Sequence, residues 1–229
     1  MSGGPVSARA LQRRKGCARV FPSNSPSEDP VQQAFFHMAK VCAIFGGSRG
    51  IGKAVAQLLA WKGYRLAIIA RNLEVAQTTV NHLGAGHMAL SCDVAMEQDV
   101  QNTLQEVEKN LGHVNYLVNA AGVNRDGLLL RTTSEDMVSQ INTNLLGTML
   151  TCKAAVRHML QQQGGAIVNI GFVHTEMTAH LKEDQLKKTI PLGRFGEPDE
   201  VAQAVVFLLE SPYITGHILV VDGGLQLVI

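Results

Sequence analysis

The chain is poor in the residues that build metal centres and disulfide frameworks. Its four cysteines, Cys17, Cys42, Cys92 and Cys152, are widely separated in 229 residues and form no CxxC pair. That excludes dithiol and zinc-knuckle chemistry. Two of them lie in or beside apolar runs, so reduced, buried thiols in an intracellular compartment are expected. The eight histidines are scattered without ligand spacing, and no metal is expected. No apolar run reaches the roughly 20 residues that a bilayer span needs, so no membrane partner is expected. Excess charge is missing too: the formal net charge of +1 gives no general attraction to nucleic acid. Aromatic residues are scarce at 5%, with three tyrosines. What is plentiful is apolar: 46% hydrophobic against 17% charged residues suits a buried parallel sheet flanked by helices. The length is enough for one full α/β domain.

Within that domain one stretch stands out. Val41–Phe45 is a short apolar run, read as a buried strand, and it leads straight into the glycine-rich turn Gly46, Gly47, Ser48, Arg49, Gly50, Ile51, Gly52. Helical spacing follows, with Val55, Leu58 and Leu59 on one face. A strand, a glycine turn and a helix N-terminus form an anion site, because the first helical N–H groups lack intrahelical partners and the dipole favours a phosphate. By itself the stretch also reads as an ordinary strand-to-helix turn.

From Lys40 onward strands and helices alternate. Strands are expected at 41–45, 65–70, 87–92, 115–118 and 166–170. Helices are expected at 50–61, 73–82, 97–111 and 134–161, the last starting at Ser134 with Glu135 and Asp136 in its first turn. This alternation predicts an α/β, doubly wound parallel sheet with right-handed crossovers, with ligands beyond the carboxyl ends of its strands. After Gly171 the rhythm breaks. A loop at 172–178, a short charged helix at 181–188, a helix at 200–210 and a final strand at 217–221 are expected. Residues 38–229 form the domain. Residues 1–37 are basic and acid-poor before Glu28, which reads as a disordered extension or as a mitochondrial targeting segment. The mitochondrial matrix is the expected location, with the cytoplasm as the alternative.

These pieces resemble the short-chain dehydrogenase/reductase family, a Rossmann fold. GGSRGIG looks like its cofactor loop. CDV at 92–94, NAAG at 119–122 and NTNLLG at 142–147 match later motifs in order. PLGRFGEPDEVA followed by ITGHILVVDGG resembles the 3-oxoacyl-acyl-carrier-protein reductase branch. Five ordered motifs are far more specific than one glycine turn. The resemblance implies NADPH-dependent reduction of 3-oxoacyl-[acyl-carrier-protein] and other carbonyl substrates in fatty acid synthesis. It also implies a homo- or hetero-tetramer. Gly46, Gly50 and Gly52, with Ser48 and Ile51, are implied for the pyrophosphate. Arg49 and Arg71, with Asn72, suit a 2′-phosphate where NAD enzymes place an acid. Asp93 and Val94 are implied for the adenine side. Asn119, Ala120, Ala121 and Gly122 are implied for the nicotinamide approach, with Thr175 at its end. Asn144 is either the family's proton-relay Asn or a helix-packing amide.

The departure from the family is equally plain. Its hydride transfer uses a Ser, and a Tyr with a Lys four residues on. Here Tyr64 is followed at that spacing by Ile68, Tyr116 by Ala120 and Tyr213 by His217. The family's Ser position falls on Phe172. The simplest reading is an internal deletion at 171/172 that removes a catalytic loop, a helix and strand 6. Of the catalytic set, Asn144 alone remains. The sheet is then truncated after strand 5 and the 217–221 strand has no neighbour. The face of Met137, Ile141, Leu145 and Met149 is expected to stand open, at a cost on the order of 1.5–3 kcal/mol for each side chain. A catalytically impaired chain is expected. The alternative readings are an NADPH-binding or subunit-pairing module without hydride transfer, or an unstable non-functional variant.

Overall fold

A computed structural model describes residues 39–125, 127–171 and 190–225. Five strands form one wholly parallel sheet: β1 Val41–Phe45, β2 Arg65–Ala70, β3 Met88–Ser91, β4 Val114–Asn119 and β5 Ala166–Asn169. Their order is β3-β2-β1-β4-β5. Among the described residues six α-helices accompany it: α1 Gly50–Trp61, α2 Leu73–Leu83, α3 Glu97–Leu111, α4 Ser134–Gln140, α5 Gly147–Gln161 and α6 Pro198–Glu210.

Strand alternation divides the core into two layers. Cys42 and Ile44 of β1 point to one face and pack with Val55 and Leu59 of α1 and Val201 and Val205 of α6. Val41, Ala43 and Phe45 point to the other and pack with Val100, Leu104 and Val107 of α3 and Ala155 and Met159 of α5. β1 is therefore buried on both sides, which is why its sequence is a continuous apolar run rather than an alternating one. Cys42 and Cys92 are buried free thiols and Cys152 is half-buried, as their surroundings in sequence suggested.

The sheet agrees with the expected doubly wound architecture, and its truncation after the fifth strand is consistent with a missing crossover. Three expectations change. The 134–161 helix is not continuous. α4 and α5 are joined by a wider, π-type turn over Ile141–Leu146. Asn144 in that turn bonds Val123 instead of continuing a regular surface, and Gly147 lies against Val94, whose side chain a Cβ there would meet at 2.6 Å. The cap of α4 is Thr133 rather than Ser134, its hydroxyl oxygen accepting from the Asp136 amide at 3.1 Å. The 217–221 segment forms no strand. Ile218 is 86% exposed there, and among the described residues no strand lies beside it to offer a ladder. The expected helix at 181–188 lies outside the described residues, as does the 1–37 segment.

α6 packs chiefly on α1 and also meets the edge strand β5. Lys62 pairs with Glu210 at 2.9 Å and Tyr64 donates to the same carboxylate at 2.9 Å. Ile141, Leu145 and Met149 are exposed as expected, while Met137 is half-buried.

Candidate functional site

The cleft lies where the strand order reverses, beyond the carboxyl ends of β1 and β4. It has a volume of about 920 Å³, within the usual range for a small-molecule or cofactor site. Its floor is the glycine turn. Gly46 has a φ of +81° and approaches the β4 end so closely that a Cβ would meet the Ala120 carbonyl carbon at 2.5 Å. Gly52 packs its Cα on the turn itself, and a Cβ there would meet the Gly46 carbonyl group. The turn is tied down by Gly46 N–H to Ile69 O at 2.8 Å, and Ala120 N–H to Phe45 O at 2.8 Å brings β4 alongside.

α1 begins at this turn without the usual means of satisfying its first amides. Its cap residue Arg49 makes no side-chain capping bond, and no acidic residue sits in the first turn. The other βα helices differ. α2 is capped by Asn72 and carries Glu74 in its first turn, and α3 carries Glu97 and Asp99. Free N–H groups, a positive dipole end and a neighbouring guanidinium favour a bound phosphate. The Cβ-intolerant cradle and this bare helix start fit the pyrophosphate of a dinucleotide.

Most residues expected at the site converge on it. Gly46, Ser48, Arg49, Gly50, Ile51, Gly52, Arg71, Asn72, Val94, Ala120, Ala121, Gly122 and Asn144 all line the cleft. Two expected residues do not. Asp93 turns its carboxylate back to accept from the Ala95 amide at 3.0 Å, as a short polar side chain does at a strand-to-helix turn. Asn119 is buried beneath the cleft. Its amide donates to Asn169 Oδ1 at 2.9 Å and its oxygen accepts from Thr151 Oγ1 at 2.9 Å, tying β4, β5 and α5 together. A buried amide needs such partners. Thr175 lies outside the described residues.

Asn144 holds the loop after β4 by a reciprocal pair. Its Nδ2 donates to Val123 O and its Oδ1 accepts from Val123 N–H, both at 2.8 Å. Its side chain is thereby committed to positioning that loop. Sequence reasoning missed Val75, Cys92, Val123, Gln140, Thr143 and Thr148, which also line the cleft. Burial pushes the Cys92 thiol above its ordinary pKa, so it is a neutral wall residue.

All three tyrosines are away from the cleft. Tyr116 is buried at the opposite end of the sheet, where its hydroxyl accepts from Lys40 Nζ at 2.8 Å. Tyr64 stacks beside it at 5.7 Å. Burial and the Glu210 hydrogen bond hold the Tyr64 phenol well above its ordinary pKa. Tyr213 is fully exposed. Among the described residues no lysine lines the cleft, no metal-binding cluster occurs and no helix is long and apolar enough to cross a membrane.

Comparisons with known proteins agree with this geometry. A family model described as short chain dehydrogenase matches residues 40–182. A second, described as enoyl-(acyl carrier protein) reductase, matches residues 171–226. The 3-oxoacyl-[acyl-carrier-protein] reductase of Homo sapiens is 60% identical over 237 residues, covering 84% of this chain and 100% of that protein. Carbonyl reductase family member 4 of Xenopus laevis is 54% identical, covering 83% and 99%. The 3-oxoacyl-[acyl-carrier-protein] reductase FabG of Vibrio cholerae is 30% identical, covering 82% and 98%. A crystal structure titled gox2181 superposes with a TM-score of 0.78 at 25% identity, covering 84% and 99%. Fold, glycine turn and sequence relationship together place this chain in the short-chain dehydrogenase family.

Proposed function

We propose that this chain binds NADPH in the cleft and is impaired in reducing the 3-oxoacyl-[acyl-carrier-protein] substrates named for its relatives. When bound, NADPH supplies a hydride. The chain's own contribution is to hold the pyrophosphate on the amides of α1 and the 2′-phosphate between Arg49 and Arg71. Two guanidiniums suit a phosphate dianion, whereas a cofactor without it would leave them without that partner.

The single observation behind the impairment is the placement of the tyrosines. Reduction of a carbonyl creates an alkoxide that must take a proton, and a positioned acid contributes about 10²–10⁴-fold. Tyr64, Tyr116 and Tyr213 are all out of reach of the cleft. Asn144 spends its amide on Val123. The alignment to the human relative spans 237 residues, more than this chain contains, while using 84% of it. That supports a missing segment, read at 171/172, that carried the acid.

The test is paired. NADPH binding is followed by cofactor fluorescence, and NADPH oxidation is followed with a 3-oxoacyl thioester. Saturable binding with turnover at least about 100-fold below an intact reductase is expected. Turnover comparable to the intact enzyme overturns the impairment, and absence of binding overturns the cofactor assignment.

A pairing role is the second reading, favoured by the exposed Ile141, Leu145 and Met149 on one face. On this reading the chain joins an intact reductase subunit in a mixed tetramer in the mitochondrial matrix. Co-purification of differently tagged chains tests it.

A further inference from the structure

We infer that two hydroxyls, Thr79 and Ser91, position the backbone beneath the two cleft arginines and thereby set discrimination for a 2′-phosphate; this rests on the NADPH reading above. Arg49 and Arg71 belong to different βα connections, so nothing in the chain's local sequence fixes their separation. Pairing of β1 with β2 and the Gly46 N–H to Ile69 O bond align the strand ends, and two side-chain bonds hold the connections beyond them. Thr79, 2% exposed on α2, donates from Oγ1 to the carbonyl oxygen of Ser48, the residue before Arg49, at 3.1 Å. Ser91, at the end of β3, donates from Oγ to the carbonyl oxygen of Arg71 itself at 3.0 Å.

The two bonds are joined through α2. Asn72, directly after Arg71, caps that helix by accepting from the Val75 amide at 3.2 Å. Two turns further on the same helix carries Thr79. Ser91, Arg71, Asn72, α2, Thr79, Ser48 and Arg49 thus form one continuous mechanical path between the arginines. Thr79 has a competing acceptor in its own helix, Val75 O at 3.2 Å. Its single proton can therefore serve the turn or the helix, and the bond to Ser48 is the one that joins separate elements. Ser91 also faces the shallow groove formed by Arg71, Asn72, Leu73 and Glu74, next to the cleft. Neither hydroxyl is needed to close the hydrophobic core, since each bonds a backbone carbonyl of a loop.

A positioning role makes a specific demand on the data. A variant that merely destabilises the fold reduces the binding-competent fraction for every cofactor alike. A variant that lets the arginines drift weakens NADPH more than NADH. Thr79→Val keeps the shape and removes the donor. Ser91→Ala does the same at β3. Dissociation constants and stoichiometries for NADPH and NADH are measured by cofactor fluorescence on the full chain, beside thermal melts. The Kd for NADPH is expected to rise about 2–10-fold in each variant, the range set by one lost hydrogen bond. The Kd for NADH is expected to change less than about two-fold. Thr79→Ser and Ser91→Thr, which keep the hydroxyl, are expected to restore the NADPH-to-NADH ratio. An unchanged ratio in Thr79→Val and Ser91→Ala, with the parent chain preferring NADPH, overturns the inference alone. A parent chain that shows no preference for NADPH overturns the underlying cofactor reading instead.

Discussion

Replacing Gly52 by alanine puts one methyl group where the fold has no room. The added Cβ meets the Gly46 carbonyl oxygen, lies 2.9 Å from the Gly46 carbonyl carbon and 3.1 Å from the Gly47 Cα. All three are backbone atoms, so no flexible side chain can swing aside. The turn cannot retreat either, because Gly46 lies against Ala120 and Ala121 on its other side. Overpacking of this kind costs about 1–3 kcal/mol. For a domain of this size that is a fall in Tm of roughly 2–12 °C, at about 2–4 °C for each kcal/mol. Cofactor affinity should fall further, since displacement of the turn moves the α1 amides off the phosphate. A loss of about ten-fold or more in NADPH affinity is expected. Gly63→Ala serves as the control. Gly63 also has a left-handed φ of +86°, but nothing lies within 4 Å of its Cβ position. It should lose stability through backbone strain of about 1–2 kcal/mol and keep its NADPH affinity. Thermal melts and fluorescence titrations of both variants make the comparison. Gly52→Ala that melts with the parent and binds NADPH undiminished refutes the close-packed turn.

Other expectations follow from single contacts. Arg71→Ala should weaken NADPH by about ten-fold or more while leaving NADH nearly unchanged, since a charge-assisted bond contributes roughly 1.5–3 kcal/mol; equal losses for both cofactors in titrations would contradict a 2′-phosphate site. Asn144→Ala removes both bonds to Val123, and the 120–125 segment should exchange its amide hydrogens faster by mass spectrometry; unchanged protection would contradict the clamp. His87 is held below its ordinary pKa, first by burial and then by Arg65, and its neutral ring accepts from the Leu66 amide at 3.2 Å. The unfolded chain therefore takes up a proton that the folded one resists, so stability should fall as pH drops below about 6.5 and level off below the folded pKa. Denaturant titrations across that range should show this limb, and His87→Asn should lack it.

The sheet was legible because burial leaves a direct trace. A strand covered on both faces must be apolar throughout, and Val41–Phe45 and the buried stretch Leu66–Ile69 of β2 are. The cofactor turn was legible because close backbone approach demands glycine, at Gly46 and Gly52 above all. What could not be read depends on partners far away in the chain. Asn119 sits in a motif that points to the cleft, yet its partners Thr151 and Asn169 are 32 and 50 residues on, and they bury it. The wide turn at Ile141–Leu146 has no periodic signal, because it arises where Asn144 reaches Val123 across 21 residues. The 217–221 segment has all the composition of a strand and lacks only a neighbour, a property of the sheet and not of the segment.

The most direct test of the account is one preparation assayed twice, for NADPH binding and for NADPH oxidation with a 3-oxoacyl thioester. The glycine turn and the paired arginines call for saturable binding, and three tyrosines placed away from the cleft call for turnover at least about 100-fold below an intact reductase. Turnover at the intact enzyme's rate would contradict the account.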